Sequence, residues 1–234
     1  MGFTKKEAPP CEPCRFKADC FYAILDRKAK RDWVEMRVAN RFKKEDIVFF
    51  DGEKPTGIYV LCSGKAKIYK STRTGQQLIT RIHKPGDLIG YRTVLAEQNY
   101  TGTAMAMEES VVSVIETDDF MRFLETNPHT NRPFLKKMAR ELGESENRAR
   151  DIAYKPARAR LSDVLLRLMH VNGKPKPTVT GVKRKEIAEM AGLTIETTVR
   201  LLQDFEKQGI VKRAEKSIDI LQPERLKTIS GTPA

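Results

Sequence analysis

Between residues 41 and 116 apolar side chains come in short runs broken by glycine-centred turns. Residues 46–50, 57–61, 65–69, 77–82 and 111–115 are rich in β-branched and aromatic side chains. Asp51-Gly52, Ser63-Gly64, Thr74-Gly75 and Pro85-Gly86 supply turns along this region. Many short strands at this spacing predict an antiparallel sandwich or barrel. Thr117-Asp118-Asp119 then caps a short helix through Leu124. After Pro133 the period changes: Leu135, Met138, Leu142, Ser145, Ala149 and Ile152 recur at alternating steps of three and four, the narrow a/d seam of a coiled coil. Glu141, Glu144, Glu146, Arg148 and Arg150 lie beside the seam, where they can pair between two chains. Packing of this stripe against the β domain is the alternative. Pro156 breaks the helix, and an amphipathic helix begins at Ala157.

Residues 183–213 carry the sharpest local pattern. Ile187, Ala188 and Ala191 share one face of a short helix, Gly192 can take the left-handed conformation that stops it, and Thr194 is placed to cap a second helix. The second helix buries Val199 or its neighbours Leu201, Leu202 and Phe205 at helical spacing. Glu196, Thr197 and Arg200 then stay free near its exposed N-terminal end, where they would meet base edges. Gly209 ends this helix, and 210–213 with 217–221 reads as a two-stranded wing around Ala214 to Lys216. With the basic lead-in Lys183-Arg184-Lys185, this predicts a winged helix-turn-helix. Its expected DNA contacts are Lys183, Arg184, Thr194, Glu196, Thr197, Val199 and Arg200. An ordinary helical hairpin with a solvated face is the competing reading, which the glycine turn, the cap, the basic lead-in and the wing jointly disfavour.

Composition sharpens this picture. With 234 residues, 40 % of them hydrophobic, the chain can build two domains with real cores. Its formal charge of +12 and pI near 9.6 indicate a polyanionic partner. Residues 155–234 carry sixteen Lys and Arg against nine Asp and Glu, so the basic excess is denser where the helix-turn-helix lies. No secretory signal pattern and no apolar run of membrane-spanning length occurs, so the expectation is a cytoplasmic protein with no membrane partner.

In a reducing compartment four cysteines are thiols or metal ligands rather than a disulfide framework. Cys11, Cys14 and Cys20 are spaced C-x2-C-x5-C, close enough for three thiolates to converge from one loop, with Phe16, Phe21 and Tyr22 available to shield them. A closed site takes four ligands, and Cys62 is the remaining cysteine. It also shares a strand face with Ile58 and Val60, so the alternative is a small buried core thiol. His83, His129 and His170 fall in three separate elements and share no motif with a cysteine, and no phosphate-cradling glycine loop occurs. An enzyme is not expected.

Gly52-Glu53, Ser63-Gly64-Lys65, Pro85-Gly86-Asp87-Leu88-Ile89-Gly90 and the run from Gly192-Leu193-Thr194 to Arg200 resemble the CRP/FNR family of bacterial transcription regulators. The resemblance spans about residues 11–226. It implies an α+β chain: an N-terminal segment with the cysteines (1–22), a jelly-roll, cyclic-nucleotide-binding-like sensor domain (23–127), a long dimerisation helix (128–154) and a C-terminal winged helix-turn-helix domain (155–234). It also implies a homodimer that binds double-stranded DNA at a TTGA-like palindrome and works with RNA polymerase. The cyclic-nucleotide branch carries Gly-Glu and then Arg-Ser or Arg-Thr. Here the matching positions are Gly90-Tyr91 and Tyr100-Thr101-Gly102, and Arg92 lies elsewhere in the loop. Glu146 after Ser145 departs further, so no cyclic AMP is expected. The FNR branch holds a [4Fe-4S] cluster on three cysteines at the spacing of Cys11, Cys14 and Cys20, plus a fourth late in the β domain, where this chain has valines. The resemblance therefore implies an oxygen- or redox-switched regulator, with Cys62 replacing the missing ligand or the cluster absent. The alternative is a small-molecule or nucleotide effector in the β roll, with structural cysteines.

Overall fold

The computed structural model describes residues 6–171 and 177–231. Its contacts divide the chain into two compact units, Met1–Arg140 and Glu141–Ala234, with the division inside one long helix.

The first unit opens with a short strand β1 (Lys6–Glu7) and, after the cysteine loop, helix α1 (Arg27–Glu35). There follow β2 (Val38–Phe42), β3 (Ile47–Phe49), β4 (Gly57–Ser63), β5 (Ala66–Ser71), β6 (Gln77–His83) and β7 (Leu88–Ile89). Helix α2 (Tyr91–Leu95), strands β8 (Thr103–Ala106) and β9 (Ser110–Glu116) and helix α3 (Thr117–Thr126) complete it. The strands form two antiparallel sheets, β1-β2-β9-β4-β7 and β3-β8-β5-β6, the antiparallel sandwich that the strand pattern predicts and the jelly-roll-like arrangement that the resemblance implies. Ala104 and Ala106 of β8 are fully buried, and the Phe49 and Tyr100 rings stack at 3.7 Å in one of the cores. A second core gathers Phe21, Trp33, Phe120, Phe123 and Phe134. Helix α1 joins it through the fully buried Ala29 and Trp33, and Asp26 caps that helix by accepting from the Ala29 amide at 2.8 Å.

The long helix is α4 (Asn131–Tyr154). Phe134 anchors its first turns in the sensor core, with Met138 packed beside it. Of the predicted seam, Leu135, Leu142 and Ile152 are 59 %, 62 % and 41 % exposed, Ser145 and Ala149 are exposed, and Met138 is half-buried. The stripe thus splits: Met138 helps pack the helix on its own unit, while Leu135 and the stripe residues from Leu142 onward are exposed in the single chain.

Pro156 separates α4 from α5 (Ala157–Val171) in the second unit. Strand β10 (Thr178–Thr180), helices α6 (Arg184–Ala191) and α7 (Ile195–Lys207), strands β11 (Val211–Arg213) and β12 (Ser217–Ile220) and helix α8 (Pro223–Ser230) follow. The predicted two-stranded wing is present and gains β10 as a third strand, in the order β10-β12-β11. No helix among the described residues is long and apolar enough to cross a membrane.

Candidate nucleic-acid interface and thiol pocket

The turn between α6 and α7 has the predicted chemistry. Gly192 ends α6 at φ 61°, ψ 44°, and the Thr194 hydroxyl accepts from the Thr197 amide at 3.2 Å to start α7. Sequence reasoning does not single out Arg160, which clamps the same turn by donating to the Ala191 and Gly192 carbonyls at 3.0 and 3.1 Å. Thr198, Leu202 and Phe205 form the buried stripe of α7. Thr198 belongs there because its hydroxyl donates to the Thr194 carbonyl at 3.0 Å, which lets a polar side chain be buried at little cost. Val199 is half-buried.

That stripe leaves Thr194, Ile195, Glu196 and Arg200 exposed, with Thr197 half-buried between them. The hydrogen bonds from its own backbone amide and the Thr194 hydroxyl hold the Glu196 carboxyl below its usual range, so it is an ionised acceptor at neutral pH. Arg200 lies one turn further on. An acceptor and a forked donor side by side at a helix start can read a cytosine amino group and a guanine edge. Ile195, at 43 % exposure, adds an apolar group that sequence reasoning did not include.

The basic lead-in divides in role. Lys183 is exposed at the N-terminal cap of α6, where its amide donates to Glu186 Oε2 at 2.8 Å. Arg184 is half-buried, and its guanidinium donates to the Ala214 and Ser217 carbonyls at 2.9 and 3.0 Å, across the tip of the wing. Arg184→Ala should therefore lower the stability of this unit by about 1.5–3 kcal/mol, the range for hydrogen bonds to a charged group. Thermal melts without DNA check it, because a side chain that only touches phosphate would leave the melt unchanged.

In the sensor unit all four cysteines line one cavity of about 40 Å³, together with Arg37, Phe16 and Tyr22. Tight turns set the first three: the Cys14 amide donates to the Cys11 carbonyl at 3.1 Å and the Ala23 amide to the Cys20 carbonyl at 2.9 Å. Gly86 backs this loop at φ 97°, where a Cβ would stand 3.1 Å from the Cys20 Cα, so the Pro85-Gly86 turn serves a close approach as well as a reversal. Cys62 sits at a register shift between Leu61 and Ser63, where β4 bulges against β9. Its sulfur lies 3.1 Å from the Ser113 hydroxyl and accepts from Arg37 Nη1 at 3.9 Å. It also packs against the core that holds Ile58 and Val60. Burial pushes the Cys11 thiol up to about 11 and raises Cys20 as well. Among the described residues no three Cys, His, Asp or Glu groups are drawn together closely enough to grip a metal ion as they stand. His83 faces Asp87 at 3.6 Å and His129 faces Asp26 at 3.0 Å, neither of them lining the thiol cavity, and the side chain of His170 lies outside the described residues.

The loop matched to the cyclic-nucleotide positions has other employment. Tyr91 is buried with its ring 5.2 Å from that of Phe134, edge to face. Arg92 donates to the Thr101 hydroxyl. Tyr100 is buried, and its hydroxyl donates to the Gly57 carbonyl at 2.8 Å.

Residues 39–127 match the family model of the cyclic nucleotide-binding domain, and residues 159–229 that of the Crp-like helix-turn-helix domain. The fumarate and nitrate reduction regulatory protein of Yersinia pestis is 28 % identical over 229 residues, which covers 95 % of this chain and 91 % of that protein. The cyclic AMP receptor protein of Thermus thermophilus is 23 % identical over 183 residues, covering 78 % of this chain and 83 % of that one. Among solved structures, FixK2 from Bradyrhizobium japonicum shares the fold with a TM-score of 0.76 at 21 % identity, over 85 % of this chain and 99 % of that one.

Proposed function

We infer that this chain, a transcription regulator of the CRP/FNR superfamily and not an enzyme, binds double-stranded DNA as a homodimer through paired α7 helices. The observation that carries the DNA reading is the exposed Glu196 and Arg200 pair at the Thr194-capped start of α7, inside the Crp-like helix-turn-helix match. A homodimer presents two such helices one helical turn apart, so the site is a palindrome. Arg200 on guanine and Glu196 on the cytosine amino group select a TGA core, and Val199 with Ile195 favours thymine methyls beside it, hence TTGA-like half-sites. Selection of bound sequences from a random pool tests this; a pool without TGA half-sites would sink it.

The signal enters through the first unit. The match to a cyclic nucleotide-binding domain supports a small-molecule or nucleotide effector held in the β roll. With Tyr91 in the core and Arg92 engaged by Thr101, such an effector would not be gripped by the Gly-Glu and Arg contacts used for cyclic AMP. The shared cavity of Cys11, Cys14, Cys20 and Cys62 favours a second reading, in which these four thiols hold a thiophilic centre. The donor types fit, although the thiols would have to draw closer to grip an ion: four soft ligands line one cavity beside a buried guanidinium that has an unpartnered nitrogen. A [4Fe-4S] cluster there would supply an oxygen-labile link. The thiols would order the 11–20 loop against the sensor core.

A variant with all four cysteines changed to serine separates the two. Under the effector reading it keeps a ligand-induced rise in melting temperature. Under the thiol reading, wild-type protein reconstituted anaerobically with iron and sulfide gains visible absorbance, and Cys14→Ala or Cys20→Ala abolishes it.

A further inference from the structure

Arg37 is 5 % exposed, yet its contacts are all neutral. Nη2 donates to the Pro9 carbonyl at 2.9 Å, Nη1 to the Cys62 sulfur at 3.9 Å, and Nε has no partner. A buried cation without a nearby anion is costly, because desolvation is not offset by a counter-charge. No carboxylate among the described residues stands within ion-pair distance of it. The groups lining its cavity that can become anionic are the four thiols and the Tyr22 phenol, and of these the thiols are the ones that metal binding deprotonates. Four thiolates around a doubly charged centre leave net negative charge. Besides Arg37, the one other cation on the lining is Lys17, whose ammonium is already paired with Glu12 at 2.7 Å, and the rest of the wall is the four thiols with Phe16, Tyr22, Val60 and other apolar groups, so the cavity suits a thiolate-ligated centre better than a free oxyanion.

We propose that Arg37 is the counter-charge of a thiolate-ligated metal centre held by Cys11, Cys14, Cys20 and Cys62, with Cys62 entering from β4 at its bulge. This rests on the thiol reading of the sensor unit. The Nη2 bond to Pro9, two residues before Cys11, lets the same side chain tether the loop that brings three of the ligands.

The test uses full-length protein, anaerobic, with two probes: cobalt(II) alone, read by thiolate-to-metal absorbance, and ferrous iron with sulfide, read by cluster absorbance. Whichever probe wild type accepts identifies the centre. For that probe, Cys62→Ser loses the signal. Arg37→Gln keeps the stoichiometry and band positions but binds about 10–100-fold more weakly, as for loss of an outer-shell partner. Arg37→Lys, which keeps the charge, recovers most of the affinity. Emission from the single tryptophan, Trp33, checks folding, and Arg37→Met, which keeps the apolar stem, replaces the Gln variant if that one does not fold. The metal-free Met variant should melt no lower than wild type, since it removes an uncompensated buried charge.

Unchanged metal affinity in Arg37→Gln would overturn the counter-charge and leave the thiol reading standing. Affinity in Arg37→Lys as low as in Arg37→Gln, or a lower metal-free melting temperature in Arg37→Met, would leave Arg37 a structural tether alone and overturn the counter-charge too. Wild type that takes up neither probe would remove the thiol reading itself.

Discussion

Leu142→Glu should leave a folded monomer that no longer holds operator DNA. Leu142 is 62 % exposed in the single chain, so the substitution removes little packing and the melting temperature of the isolated chain should hardly move. The cost falls on association. In a parallel two-fold pair of α4 helices the seam residues face their own copies, and each new carboxylate meets another one in an apolar strip. Like charges juxtaposed across an interface cost several kcal/mol, and about 4 kcal/mol corresponds to about a thousandfold weaker dimer. Half-site binding would follow, because each chain presents one α7. Sedimentation equilibrium and a gel shift on the selected palindrome read the two effects, and a variant that remains dimeric would show that the exposed stripe is not the interface.

Arg200→Ala should cost about 1–3 kcal/mol on the cognate site and relax selectivity at one guanine in each half-site. Because a dimer carries the change twice, the loss on a full palindrome should approach twice that on a half-site. Lys183→Ala is the contrast. Lys183 is exposed at the start of α6, so its charge should act on phosphate. Its removal should weaken every sequence alike and reduce the slope of log affinity against log salt by about one. Competition binding on cognate and scrambled duplexes over a salt series separates the two. Equal losses on both duplexes for Arg200→Ala would mean that α7 lies on the backbone rather than in the groove.

The helix-turn-helix was legible because its determinants are local. A glycine at a left-handed position, a threonine accepting from the amide three residues on, and apolar residues at helical spacing act within one or two turns of chain. The β runs between residues 46 and 115 announce themselves for the same reason, through β-branched residues and glycine turns. Strand β8 does not: Thr103-Ala104-Met105-Ala106 has weak strand propensity and pairs because β3 and β5 flank it, with fully buried alanines at Ala104 and Ala106. Helix α1 is equally silent, since Ala29 and Trp33 alone are buried in a strongly charged segment.

Residue type alone placed Arg184 and Lys183 in one basic group. Only the tertiary structure shows that the Arg184 guanidinium spends its donors on the wing carbonyls while Lys183 stays exposed. The sensor shows the same division. C-x2-C-x5-C brings three thiols into one loop by chain length, and nothing local says where Cys62 or Arg37 will go. The bulge of β4 against β9, the closeness of the Pro85-Gly86 turn to Cys20, and the Arg37 bond to Pro9 bring them to one cavity. By itself, then, the sequence determined the turns, caps and amphipathic faces, because those energies are decided between near neighbours. Which distant side chains share a desolvated space was decided only when strands paired across tens of residues, since burial and charge compensation depend on what the whole fold excludes from water.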